Sequence, residues 1–176
     1  KINHIFRLKE EKNAAILAHS YVVPEILRTV ADYVGDSYYL SKKAKEVSED
    51  TIVFSAVKFM AETAKLLNPN KTVLVPSKIN GCSLADSITG DTVKALRQQY
   101  PDYVFVCYIN TTVDVKAQCD VCVTSSNVYD ICEKIGKNIF FLPDKLMAKN
   151  VINELKRRGS TQTIKYSDGT CYVHEE

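Results

Sequence analysis

The sequence predicts an α/β protein built as two homologous three-layer αβα domains with parallel sheets, and three observations predict it. Short apolar runs at 14–18, 51–55, 103–109 and 138–142 alternate with amphipathic stretches of helical period. That alternation is the mark of βαβ units whose strands are covered on both faces. The chain also repeats itself. TIVFSAVKFMAETAKLLNPNKTVLVPSKINGCSLAD (51–86) is answered by NIFFLPDKLMAKNVINELKRRGSTQTIKYSDGTCYVHE (138–175), and Cys171 stands 89 positions after Cys82. Finally, AAILAHSY (14–21) parallels YVFVCYIN (103–110), which sets His19 against Tyr108 and Tyr21 against Asn110. The repeat places the domains at 1–88 and 89–176.

The elements follow in order. Ile2, Ile5, Phe6 and Leu8 give residues 2–12 the spacing of a short amphipathic helix. The run 14–18 is too short and too apolar for a helix and is a buried strand. Pro24 suits the first turn of a helix reaching about residue 34, which Gly35 ends. Asp36 or Ser37 caps the next helix, to about residue 47. Residues 51–55 are strand, 59–67 helix, Asn68-Pro69-Asn70 a turn and 72–75 strand, leading into the loop that carries Cys82. In the second half, 103–109 is strand, 113–117 a short helical piece, 121–123 strand and 127–135 helix. Residues 138–142 are strand, 145–158 a helix stopped by Gly159, and 162–166 the last strand.

Composition narrows the function. A net charge of +2, with lysines spread over helices, gives no footprint for nucleic acid. No run approaches the ~18 apolar residues of a membrane span, and no secretory leader is evident. The six cysteines are therefore expected to be reduced thiols of a cytoplasmic protein rather than a disulfide framework.

The candidate chemistry sits just past strand ends, where α/β folds place their ligands. His19 and Tyr21 occupy such positions in the first copy, Tyr108 and Asn110 in the second. Cys82 and Cys171 each lie close after a glycine in a turn-rich loop, so each thiol can project. Two loop cysteines at matched places in a repeat suit a metal or cluster, although two thiolates alone fall short of the usual ligand count. The CxxC at Cys119 and Cys122 has no second pair, and the 121–123 strand is expected to turn Cys122 inward as an ordinary thiol. Thr124-Ser125-Ser126-Asn127 reads as a helix cap whose hydroxyls and N–H groups also suit a phosphate or carboxylate.

Several motifs together resemble one family. Ala18-His19-Ser20-Tyr21, Val34-Gly35-Asp36-Ser37, Phe59-Met60-Ala61-Glu62 and Gly81-Cys82-Ser83-Leu84-Ala85 are similar to those of quinolinate synthases. So are Tyr108-Ile109-Asn110-Thr111, Val123-Thr124-Ser125-Ser126-Asn127, Leu142-Pro143-Asp144 and Cys171-Tyr172-Val173-His174-Glu175. The resemblance implies the first two of three α/β domains around a pseudo-threefold axis. It also implies one cysteine per domain on a [4Fe–4S] cluster whose fourth iron acts as a Lewis acid. The implied reaction condenses iminoaspartate with dihydroxyacetone phosphate to quinolinate, for NAD biosynthesis. Carried over by motif, Cys82 and Cys171 are cluster ligands. His19 and Tyr21 contact substrate and assist proton transfer, Tyr108 joins them, and His174 reaches the substrate near the cluster. Ser37, Tyr108, Asn110 and Ser125 bind carboxylate or phosphate, with His19.

Two departures stand out. Ser20 occupies a position where the family commonly has Asn, and the third cysteine and third domain fall outside these 176 residues. The expectation is a chain weakly active or inactive alone, completed by a missing third domain or a second chain. A different class also fits the repeat and the caps: a non-catalytic two-domain module that binds small anions.

Overall fold

The computed structural model of the chain describes residues 1–171. It divides into two compact units, Lys1–Gly81 and Cys82–Glu176. In the first, α1 (Ile2–Glu11), β1 (Ala14–His19), α2 (Pro24–Thr29), β2 (Tyr33–Gly35), α3 (Ser37–Glu46), β3 (Thr51–Ser55), α4 (Lys58–Leu67) and β4 (Thr72–Leu74) follow one another. The second runs through α5 (Gly90–Gln99), β5 (Val104–Tyr108), α6 (Val113–Lys116), β6 (Val121–Val123), α7 (Val128–Ile135), β7 (Ile139–Leu142), α8 (Lys145–Arg157) and β8 (Ile164–Tyr166).

Each unit holds a four-stranded parallel sheet, in the orders β2-β1-β3-β4 and β6-β5-β7-β8. The two sheets share a topology, as the internal repeat predicts. In both, the chain lays its second strand to one side of the first and its third strand to the other. The carboxyl ends of β1 and β3, and of β5 and β7, are therefore the switch points where such sheets open a crevice.

The second unit shows why these residues fold this way. Alternate side chains of β5 and β7 serve opposite faces. Val106, Ile139 and Phe141 pack with Val128, Cys132, Ala148, Val151 and Leu155 of α7 and α8. Phe105, Cys107, Phe140 and Leu142 pack with Val93 of α5, Val115 of α6 and Ile88. In the first unit, Leu17, Ile52 and Phe54 are fully buried, and α3 packs beside α4.

Three local expectations are corrected. The helix expected from Pro24 to about residue 34 stops at Thr29, and residues 33–35 form the edge strand β2, paired with β1 from Leu17↔Tyr33 to His19↔Gly35. Asp32 drives this change: its carboxylate accepts from the Ile16 N–H at 2.7 Å and pairs with Lys9 at 2.5 Å, which draws the chain alongside β1. Helix α5 was not foreseen; Thr89 caps it by accepting from the Thr92 N–H at 3.3 Å. The residues ahead of it, Leu84, Ala85 and Ile88, are buried, so 82–88 packs as part of the second unit. Cys122 is exposed rather than buried, because β6 is an edge strand, although its thiol lies against the buried Cys107.

Candidate functional site

In the first unit the candidate residues gather at the β1/β3 switch point. His19 ends β1 and stacks on Tyr21, their ring centroids 4.0 Å apart. The Tyr21 hydroxyl accepts from the Val57 N–H at 3.1 Å, which ties the turn after β1 to the segment leaving β3. His19 Nδ1 accepts from the Tyr21 N–H at 3.4 Å, so in the neutral ring the proton is carried by Nε2. Burial holds the His19 imidazole below its ordinary value, with the Asp36 carboxylate pulling the other way. Asp36 itself caps α3, accepting from the Tyr39 N–H at 2.8 Å. This places the half-buried Ser37 at the first turn of α3, its hydroxyl 3.7 Å from Met60 Sδ. Gly35 allows that turn, since a Cβ there would run into the Tyr39 ring.

In the second unit the corresponding place is the β5/β7 switch point. Tyr108 ends β5 on the side of α7 and α8. Burial pushes its phenol above the ordinary value, the Asp144 carboxylate adds to that, a hydrogen bond with Ser125 opposes it, and Cys82 contributes a further upward push. Tyr108, Asp144, Ser125 and Cys82 therefore occupy one neighbourhood. Asp144 is almost fully buried and caps α8 through the Met147 N–H at 2.8 Å. Asn110 is half-buried two residues past the end of β5.

The 124–127 segment differs from a simple cap. Asn127 is the N-cap of α7 but makes no side-chain cap bond. Its Oδ1 instead accepts from the Thr124 N–H at 2.7 Å. The first N–H groups of α7 are left without that side-chain acceptor, and Ser125, exposed, lies beside Tyr108.

The two cysteine loops meet. Cys82 and Asp86 close a turn: the Cys82 N–H donates to Asp86 Oδ2 at 3.0 Å, and the Asp86 N–H to the Cys82 carbonyl at 2.8 Å. Ser87 ends that turn. Gly169, two residues before Cys171, bridges Asp144, and its carbonyl accepts from the Lys145 N–H at 2.9 Å. It lies so close that a Cβ there would press into the Pro143 carbonyl and come within 2.5 Å of Ser87 Oγ. Cys82 and Cys171 are both free and partly exposed. His174 lies outside the described residues.

Sequence reasoning missed Asp144 and Asp36 as members of these groups, reading them only as motif or cap. The available signal was position: Asp36 lies one residue and Asp144 two residues past the end of a strand, at the crevice end of its sheet. The CxxC thiols fall elsewhere, with Cys107, a fully buried β5 residue, hydrogen-bonded to both Cys119 and Cys122. Among the described residues, no group of three His, Cys, Asp or Glu side chains is arranged to hold a metal ion. No described helix is long and apolar enough to cross a membrane.

Comparison with known proteins gives a family. The model described as "NadA: Quinolinate synthetase A protein" matches residues 3–176. A quinolinate synthase of Agrobacterium fabrum (strain C58 / ATCC 33970) is 50% identical over 175 residues, covering 99% of this chain and 49% of the relative. One from Xylella fastidiosa (strain 9a5c) is 50% identical over 175 residues, covering 99% and 50%. One from Clostridium perfringens is 48% identical over 174 residues, covering 98% and 56%. The chain thus spans about half the length of the curated relatives it matches.

Proposed function

Because this chain belongs to the quinolinate synthetase A family, we propose that it forms two of the domains of an enzyme that makes quinolinate for NAD biosynthesis. The substrates are iminoaspartate and dihydroxyacetone phosphate, and phosphate and water are lost. The observation that carries the reading is the convergence of Tyr108, Ser125, Asp144 and Cys82 at one sheet switch point, beside the loop that leads to Cys171.

The family's [4Fe–4S] cluster suits the donor set in kind. Cys82 and Cys171 are free thiols on turn loops that touch, and thiolates are the ligands such clusters take. They are two ligands where three are needed to leave one iron open, so the third belongs to a part of the relatives' length that this chain does not span. When bound, the cluster would supply a Lewis-acidic iron that polarises a substrate oxygen.

The chain's own residues supply the rest. Tyr108, held protonated, donates a hydrogen bond to a substrate carboxylate or carbonyl oxygen. Ser125 and the N–H groups at the start of α7 take a carboxylate or phosphate, and Ser37 at the start of α3 does the same in the first unit. Asn110 offers an amide donor. His19, neutral near pH 7, is suited to accept a proton, and Tyr21 fixes its ring by stacking. His174 keeps the role the family implies, next to substrate. The setting is the cytoplasm, where six free cysteines stay reduced.

A chimera tests this reading: residues 3–176 replace the matching stretch of the Agrobacterium fabrum relative, and quinolinate is assayed anaerobically. The expected result is quinolinate formation that Cys82→Ala, Cys171→Ala and Tyr108→Phe each abolish or sharply lower. A folded chimera that makes none, yet binds phosphate at the start of α7, would favour the non-catalytic anion-binding module instead.

A further inference from the structure

The first unit carries a groove of about 440 Å³ between α1, α2 and its sheet, lined by Ile5, Leu8, Ile16, Val53, Leu74 and Pro76 among others. Its wall is almost wholly apolar; Lys9 and Lys12 lend their aliphatic stems. Small-molecule sites of this size carry a few placed polar groups that fix a ligand, and this lining offers nearly none. Helix α1 buries no residue completely, and Leu8 and Leu74 remain 37% and 49% exposed.

The second unit shows what the same face looks like when it is closed. Ile16, Val53 and Leu74 stand side by side on β1, β3 and β4. Their counterparts on β5, β7 and β8 are Phe105, Phe140 and Lys165. Phe105 and Phe140 stack at 5.1 Å, and Tyr100, the C-cap of α5, packs against Phe140 at 5.3 Å. Lys165 Nζ then covers the Tyr100 ring at 4.9 Å and presents a charge to water. Ahead of α5, Ile88 joins this core. In the first unit each closing device is missing: aliphatic residues replace the phenylalanines, Lys12 is the C-cap in place of Tyr100, and Leu74 replaces the edge lysine.

We propose that this groove is a docking face for an apolar segment of the same polypeptide, drawn from the length that its relatives have and these 176 residues do not span. The segment seats on Leu8, Val53 and Leu74 as Ile88 seats in the core with Val93, Phe105 and Phe140 in the second unit. The proposal rests on family membership and on the unequal repeat, and not on the cluster or the catalytic reading, so the two fail separately.

The test compares the 176-residue chain with the Agrobacterium chimera, using anilinonaphthalene sulfonate fluorescence and hydrogen exchange at α1 and β4. The chain alone should bind the dye, and the double variant Lys12→Tyr, Val53→Phe, which copies the second unit, should reduce that binding severalfold. In the chimera the dye should not bind, and amides of α1 and β4 should exchange about tenfold slower or more. Leu74→Asp in the chimera should restore dye binding and fast exchange, whereas Leu66→Asp, at an exposed leucine outside the groove, should not. Equal dye binding and exchange in both proteins would overturn the proposal. So would protection that survives Leu74→Asp, or a dimer of the isolated chain that Leu74→Asp dissociates, since the occupant would then be a second copy.

Discussion

Replacing Gly169 by alanine asks how firmly the two cysteine loops are held together. The glycine is buried, and an added Cβ meets the Pro143 carbonyl and approaches Ser87 Oγ to 2.5 Å. The carbonyl is backbone and is fixed on the other side by the bridge from Asp144 to Gly169, so the loop must yield. Overpacking of this kind costs about 1–3 kcal/mol. Alanine returns about 0.4–1 kcal/mol by restricting the unfolded chain. The net loss is about 1–2 kcal/mol, which at an m-value of about 2 kcal/mol/M moves a urea midpoint down by about 0.5–1 M. Because the yielding loop leads to Cys171 and presses on the turn of Cys82, iodoacetamide should label both thiols faster. Gly136→Ala is the comparison: with φ of +60° and nothing near its Cβ, it costs stability through backbone strain of about 1–2 kcal/mol and leaves both thiols unchanged. An unshifted midpoint with unchanged labelling in Gly169→Ala would refute the packing argument.

Other outcomes follow from the same geometry. His19 should titrate below the ordinary histidine value by NMR, and Asp36→Asn should lower it further, because the carboxylate raises it. With a folded value below the unfolded one, His19 costs stability as pH falls through about 6.5, where the unfolded chain takes up the proton first. Asp120→Asn removes the charge from a two-bond ion pair with Arg97 at 2.9 and 3.0 Å and replaces with a donor one of the two oxygens that serve Arg97 and the Phe105 N–H, which donates at 2.8 Å. The loss should be about 1 kcal/mol after solvent screening, read by urea denaturation. Arg97 holds the Asp120 carboxyl below its usual range, so this contribution is present above about pH 4 and disappears as pH falls through the lowered folded value. Burial lifts Cys132, and hydrogen bonding lifts Cys107, to about 12. At pH 8 only about one in ten thousand of these thiols is ionised, so alkylation mapped by mass spectrometry should reach Cys82, Cys119 and Cys171 first.

Much of the fold was legible because burial on both faces leaves continuous apolar strands. The 14–18, 51–55 and 138–142 runs fall within or almost on β1, β3 and β7. What was not legible lies at edges. Strand β2 spans three residues and is set by Asp32 reaching the Ile16 N–H, a contact between positions far apart in local pattern. Helix α5 opens with Gly90-Asp91-Thr92 and carries little apolar periodicity, since only Val93 and Gly90 are buried. At the site, the repeat pointed to His19, Tyr108 and the cysteines. Asp144 escaped notice because in the sequence it stands only as the end of the Leu142-Pro143-Asp144 motif, and only folding makes it a helix cap and puts its charge against Tyr108.

The central claim is that Cys82 and Cys171 hold an iron–sulfur cluster together. It is tested most directly by anaerobic reconstitution of the chimera, with visible absorption and iron and sulfide counted per chain. Full loading in the parent, lost in both Cys82→Ala and Cys171→Ala but retained in Cys119→Ala and Cys122→Ala, is the predicted result. Iron that survives the first pair of substitutions, or leaves with the second, would contradict the account.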